Sequence, residues 1–300
     1  MERAPERIGV AGDWHGNTAW ATRAVRKISA LLPADGPRVI VHLGDFGIWP
    51  GPGGREYLSR LDAALAAADA ELSFVDGNHE DFPQLATLRP GSDGRAQVTD
   101  RIWHLPRGYR WRWHGRDWLA LGGAVSLDRA LRTAGADWWP QEEITRQQAQ
   151  SVIEAGPADV MVTHECPAGI DHAFLPAPPD WSPADFRRSD AHRDLLREVV
   201  LAVRPRWLMH GHLHLSYQSR VDLGSGPIEV TGLDSDGADS GNWAVLDITS
   251  MRWLRFQGRP VSNALRTLMY RWADPAARRR APGTRAQQEV SGPLSPGAQR

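Results

Sequence analysis

Five short apolar runs in this chain end in the same way, and that punctuation constrains its fold more than any other feature. The run 8–11 leads into Gly12-Asp13-Trp14-His15-Gly16, and 39–41 leads through His42 and Leu43 into Gly44-Asp45. The run 72–75 leads into Asp76-Gly77-Asn78-His79-Glu80, 160–162 into Thr163-His164-Glu165-Cys166, and 207–209 into His210-Gly211-His212-Leu213-His214. Short aliphatic runs bounded by glycine read as buried strands. Ligands of α/β sheets gather in the crevice beyond the carboxyl ends of the strands. Five strands that each end in Asp, Asn or His therefore point at one shared site.

Helical periodicity fills the gaps. Residues 17–32 place Ala21, Val25, Ile28 and Leu32 on one stripe that stops at Pro33, and 55–70 space Leu58, Leu61, Leu65 and Ala68 in the same manner. Pro140 with Glu142 and Glu143 opens a third helix that Gly156 ends, and 189–203 is a fourth, closed by Pro205. Such alternation predicts a mainly parallel core. It breaks twice: 110–123 reads as a hairpin about His114-Gly115-Arg116, and 216–257 as an antiparallel meander. Mixed sheets facing each other between helices fit this better than one doubly wound sheet. The proline-rich stretch 169–183 reads as a functional loop. One domain is expected over 1–258, then a docked helix over 259–273 and a disordered tail over 274–300.

Composition narrows the function. Lys+Arg total 35 against Asp+Glu 36, a net charge of −1, which excludes a broadly basic nucleic-acid coat and a polybasic membrane anchor. Cys166 is the one cysteine, so no internal disulfide forms and a cytoplasmic location is expected. No stretch approaches the roughly 18 apolar residues of a membrane span, and the first residues show no leader pattern.

The strand-end residues are metal-ligand types. Asp13-x-His15 and His212-x-His214 would each set two ligands on one side of an extended segment. Asp13, His15, Asp45, Asn78, His164, His212 and His214 are too many for one tetrahedral zinc and suit two ions that share a carboxylate. Mixed nitrogen and oxygen donors favour Mn, Fe, Zn or Co over Ca or Mg. Two metals about 3.5–4 Å apart are a recurring device for hydrolysing phosphate esters.

In order, the motifs D-x-H, GD, GNH, H and GH-x-H from 13 to 214 make the chain resemble the calcineurin-like metallophosphoesterase superfamily of phosphatases, phosphodiesterases and nucleases. The resemblance implies an α/β four-layer sandwich, two mixed β-sheets flanked by α-helices. It implies that Asp13, His15 and His214 bind one divalent ion, that Asn78, His164 and His212 bind the other, and that Asp45 bridges them. His79 would face the phosphoryl group and protonate the leaving oxygen while a metal-bridging hydroxide attacks phosphorus. Many members read GD-x-x-D-R-G where this chain has Gly44-Asp45-Phe46-Gly47-Ile48-Trp49-Pro50, so the second acid and the arginine are absent and protein phosphatase activity is disfavoured. Glu80 stands where many members have Asp.

Arg107 and Arg129 lie between the third and fourth motifs and are candidates to clamp a substrate phosphate. His42 and His210 are expected to be core histidines or to orient ligands by hydrogen bonds, Cys166 to pack as a small buried side chain, and Trp111, Trp113, Trp118, Trp138 and Trp139 to pack in the core or on sheet faces, with stacking on a base as the alternative. The expected partner is a phosphoester substrate, including a nucleotide or nucleic acid, with no membrane. A nuclease or cyclic-nucleotide phosphodiesterase is the alternative enzyme; a non-catalytic scaffold is the alternative of another class.

Overall fold

The computed structural model describes residues 4–170 and 182–258. Strands β1 (Arg7–Ala11), β2 (Val39–His42), β3 (Glu71–Phe74), β4 (Ala96–Gln97) and β5 (Ile102–His104) join two late strands, β12 (Trp243–Asp247) and β13 (Arg252–Arg255), in a seven-stranded sheet. Its order is β13-β12-β1-β2-β3-β5-β4. The second sheet has six strands: β6 (Arg110–Trp113), β7 (Arg116–Leu121), β8 (Val160–Thr163), β9 (Trp207–His210), β10 (Tyr217–Asp222) and β11 (Pro227–Gly232), in the order β10-β11-β9-β8-β7-β6. β1, β2 and β3 pair in parallel, as do β7, β8, β9 and β11, so both sheets are mixed.

Period-two alternation sorts the side chains into layers. Ile8, Val10, Val39 and Val41 from the first sheet meet Trp118, Val160 and Val162 from the second in a core between the sheets. The intervening residues face outward. Ile40 and Leu72 pack under α1 (Thr18–Ser29), α2 (Gly51–Ala67) and the short α3 (Phe82–Thr87). Met161 and Leu208 pack under α4 (Arg146–Glu154) and α5 (Pro183–Val203). The result is the expected sandwich: helices, sheet, sheet, helices.

Helix boundaries follow local capping. The Asn17 side chain accepts from Trp20 N at 3.1 Å and starts α1. The expected helix from Pro140 is in fact two pieces. Pro140–Glu142 is a single 3-10 turn, and α4 starts at Arg146 because Thr145 and Gln148 form a reciprocal capping box. α2 and α5 begin earlier than periodicity suggests, each with a proline in its first turn. α3 is too short to show a period.

The meander expectation is corrected. β10 and β11 pair as a hairpin whose second strand runs parallel to β9, whereas β12 crosses to the other sheet and pairs antiparallel with β1. The segment is two hairpins shared between two sheets. The 110–123 hairpin forms as read, with His114 and Gly115 at φ 46° and 75°, the left-handed pair a tight two-residue turn demands. Trp111 stacks on Trp118 with ring centroids 5.5 Å apart, in keeping with a packing role.

Among the described residues no helix is long and apolar enough to cross a membrane. Most of the expected 169–183 loop, the helix over 259–273 and the tail over 274–300 lie outside the described residues.

Candidate metal centre

All five motifs lie just past the carboxyl ends of parallel strands: Asp13 and His15 after β1, Asp45 after β2, Asn78 and His79 after β3, His164 after β8, His212 and His214 after β9. Three loops come from one sheet and two from the other, so the site exists only because the sheets face each other. Ligand atoms of Asp13, His15 and His214 lie within 4.8 Å of one another; so do those of His15, Asp45 and His79, and those of Asp45, His164 and His212.

The Asp45 carboxylate sits between the groups. Its Oδ2 is 3.3 Å from His15 Nε2 and 3.9 Å from His79 Nε2; its Oδ1 is 3.3 Å from His164 Nε2 and accepts the His79 backbone N–H at 2.8 Å. Asp13 Oδ2 is 3.0 Å from His214 Nε2. Asn78 Oδ1 is 3.1 Å from His164 Nε2.

The expectation that D-x-H and H-x-H lie on extended backbone is overturned. His15, Asp45, His212 and His214 have φ of 45°, 52°, 63° and 51°. Four side-chain-bearing residues in the left-handed region mark stored backbone strain, which clusters at functional sites. Turned backbone aims these side chains where strand alternation could not. The motif glycines serve close approach: a Cβ on Gly77 would sit 2.1 Å from Asp45 Oδ1, and one on Gly211 2.2 Å from Asp13 Oδ1.

Partners that no motif announced hold the ligands. His15 Nδ1 donates to Asp236 Oδ1 at 2.9 Å, and Asn17 Nδ2 donates to Asp236 Oδ2 at 2.7 Å. His164 Nδ1 donates to the Leu43 carbonyl at 2.7 Å, which leaves Nε2 for the cluster. Asn78 Nδ2 donates to Ser126 Oγ at 3.1 Å, and that hydroxyl donates to Glu142 Oε2 at 2.5 Å, so the Asn78 carbonyl oxygen turns to the site. Glu80 accepts the backbone N–H groups of Phe46, Gly47 and Ile48 at 2.7–3.1 Å and fixes the loop after Asp45. Burial, then the Asp45 charge, raise its carboxyl to about 7, although those three N–H bonds oppose the shift.

Of the expected orienters, His210 bonds the Gly211 carbonyl at 2.9 Å and the Tyr217 hydroxyl at 2.5 Å. His42 does not fill that role. Among the described residues neither of its ring nitrogens has a hydrogen-bond partner, and it packs edge-on against Trp14 and Phe46 as a core histidine, with burial lowering its pKa to about 3. Burial pushes the Cys166 thiol up to about 12, an inert packing group.

The two candidate arginines are engaged elsewhere. Arg107 uses every donor: Nε and one terminal nitrogen bond Asp76 at 2.9 and 2.6 Å, and the rest bond the carbonyls of Gln141, Glu142 and Glu143 and the Gln148 side chain. With no donor left, it braces the framework rather than a phosphate. Arg129 donates to Asp185 on α5 at 2.9 Å and lies over the Trp138 ring. The arginine at the cluster is Arg132. Its guanidinium contacts the His79 ring and pairs with Asp128 at 2.9 Å, with the side chain only 6% exposed.

Asp13 and Asp45 are buried, and among the described residues neither has an arginine or lysine as an ion-pair partner. Burial opposes charge on His15 and His164, yet both are pulled up: His15 by its hydrogen bonds to Asp236 and Asp45 and then by the Asp45 and Asp13 charges, His164 to about 10 by the charge and hydrogen bond of Asp45 and then by Asp13. A field that draws protons onto imidazoles also favours a divalent cation. The donor set of imidazole, carboxylate and one amide oxygen fits Mn, Fe, Zn or Co.

Such a cluster, gathered at the strand ends of a two-sheet sandwich, defines a metal-dependent phosphoesterase in the broad sense. The calcineurin-like phosphoesterase family model matches residues 6–216, well over half of the chain, and the protein belongs to that family. No curated protein matches it.

Proposed function

We propose that the protein hydrolyses a phosphoester at two divalent ions that share Asp45. The observation that carries this reading is the meeting of two ligand groups at one buried carboxylate, each of whose oxygens faces different histidines. Asp13, His15 and His214 would hold one ion; Asn78, His164 and His212 the other. When bound, such ions act as Lewis acids toward phosphoryl oxygen and make water nucleophilic at neutral pH. The chain's own groups position the substrate and neutralise its charge, which together account for most of the catalysis of phosphoryl transfer.

His79 is the proposed proton donor to the leaving oxygen. Burial, and then Arg132 and His15, hold it down to about 4 against the pull of Asp45. An anionic phosphoryl group beside the ring raises the protonated fraction again. Arg132, from another loop, keeps a positive charge beside His79, although Asp128 pairs with it. The complete ligand set favours turnover over a scaffold role.

The test is a substrate panel. Protein stripped of metal and reloaded with Mn, Fe, Zn, Co or Mg is assayed on p-nitrophenyl phosphate, bis(p-nitrophenyl) phosphate, a cyclic nucleotide and single-stranded DNA. Metal-dependent hydrolysis of at least one is expected, and its pattern separates phosphatase from phosphodiesterase and nuclease. Absence of turnover on every substrate with every metal sinks the reading.

A further inference from the structure

We infer that the ester cleaved here is mononucleotide-sized and that Trp49 is the plate on which its base stacks. This rests on the phosphoesterase reading and names its substrate class. Trp49 occupies the stretch where the second motif departs from the family pattern. Its indole Nε1 donates to the His79 carbonyl at 3.0 Å. Its ring lies against Gly16, where an added Cβ would come 3.2 Å from Cε3 and 3.3 Å from Cζ3. The indole is thus pinned between the loop that carries His15 and the loop that carries His79, at the edge of the cluster.

The mounting is rigid. Glu80 holds the three N–H groups just before Trp49, and the Tyr57 hydroxyl donates to the Phe46 carbonyl at 2.9 Å. Yet Trp49 as a residue is 42% exposed. A fixed indole that keeps a face in water beside a phosphoryl-binding centre is a stacking surface that needs no reordering on binding. Arg132 adds a positive charge against the His79 ring, held in place by Asp128. Among the described residues the other exposed large apolar side chains are Leu31, Leu131 and Leu254, none of them aromatic. One plate and a net charge of −1 suit one base and not a tracked polynucleotide.

Calorimetric affinities of AMP and ribose 5-phosphate test the inference, because the pair shares its phosphate and differs in the base. In the metal-loaded wild type AMP should bind about tenfold or more tightly than ribose 5-phosphate. Trp49→Ala should erase that advantage, and Trp49→Phe, which keeps a ring but loses the bond to His79, should retain most of it. Trp49→Leu replaces the alanine variant if the latter folds poorly. Equal affinities in the wild type, or an advantage that survives Trp49→Ala and Trp49→Leu, overturn the inference. So does a single-stranded oligonucleotide that outcompetes AMP with steep salt dependence. A base advantage without turnover on any substrate removes the phosphoesterase reading and leaves the stacking site; turnover without a base advantage does the reverse.

Discussion

His15 Nδ1 and Asp236 Oδ1 lie 2.9 Å apart across 221 positions of sequence, and this bond turns Nε2 of His15 toward Asp45. Burial works against the Asp236 charge, but the bonds from His15 and Asn17 hold its carboxyl below the usual range. It is therefore an ionised acceptor that fixes tautomer and ring orientation at once.

Asp236→Ala should weaken metal binding by about 10- to 100-fold, the usual cost of losing such a partner. Competition against a chelating dye measures it. An affinity within twofold of wild type would show that Asp236 does not orient a ligand.

Asp45→Asn removes the charge shared by two ligand groups. Elemental analysis of the metal-saturated wild type should find two ions per chain, and the variant should lose occupancy together with nearly all hydrolysis. A fully active wild type with at most one ion per chain would defeat the bridging role.

His79→Ala should keep the metals and lose roughly 10²–10⁴ in rate, the range for a positioned acid. The loss should be smallest for nitrophenyl esters, whose leaving groups need little protonation. A uniform loss over leaving groups of different basicity would mean that His79 stabilises charge instead of donating a proton.

Asp76, Arg107 and His104 predict the acid limb of stability. Asp76 is 3.3 Å from His104 Nε2 and 2.6 Å from an Arg107 nitrogen. Burial raises its pKa, but Arg107 and then His104 outweigh that and hold it far below the ordinary carboxylate value. A folded-state pKa below the unfolded one stabilises the fold above the unfolded value of about 3.9, and the contribution is lost as pH falls below it. Melting temperature should therefore drop on acidification below about pH 4. Asp76→Ala should cost about 3–5 kcal/mol at neutral pH, because it strands a buried guanidinium, and should flatten that limb. Thermal melts across pH check both; an unchanged slope in the variant would assign the acid sensitivity elsewhere.

Much of the site is legible in the chain alone. Asp13, His15, Asp45, Asn78, His79, His164, His212 and His214 each follow an apolar run, and the runs are local patterns that any parallel strand must show to be buried on both faces. The hairpin at His114-Gly115 is legible for the same reason, since a tight turn states its residue requirement in two adjacent positions. Arg107 shows the limit, because sequence gives an arginine's location and not its partners. Arg107 is consumed by Asp76 and three carbonyls, while Arg132, unmarked by any motif, reaches His79.

The chain alone makes legible the five ligand-bearing strands, the order of their ligands and the residue types able to hold metal, because burial period and side-chain chemistry are properties of short segments; the short β4 and β5 carry too few residues to show a period. The folded chain shows what no segment announces: β12 leaves the meander for the opposite sheet, and His212 and His214 turn through left-handed backbone rather than alternate along a strand. It alone brought Asp236 to His15, Glu80 to the loop after Asp45, and Trp49 against Gly16. Those contacts join loops that are 32 to 221 positions apart in sequence, most of them on neighbouring strands and one reaching in from the segment that links the two sheets. Their geometry is set by strand pairing and packing over the whole domain, a long-range balance of burial and strain that no local window of residues contains.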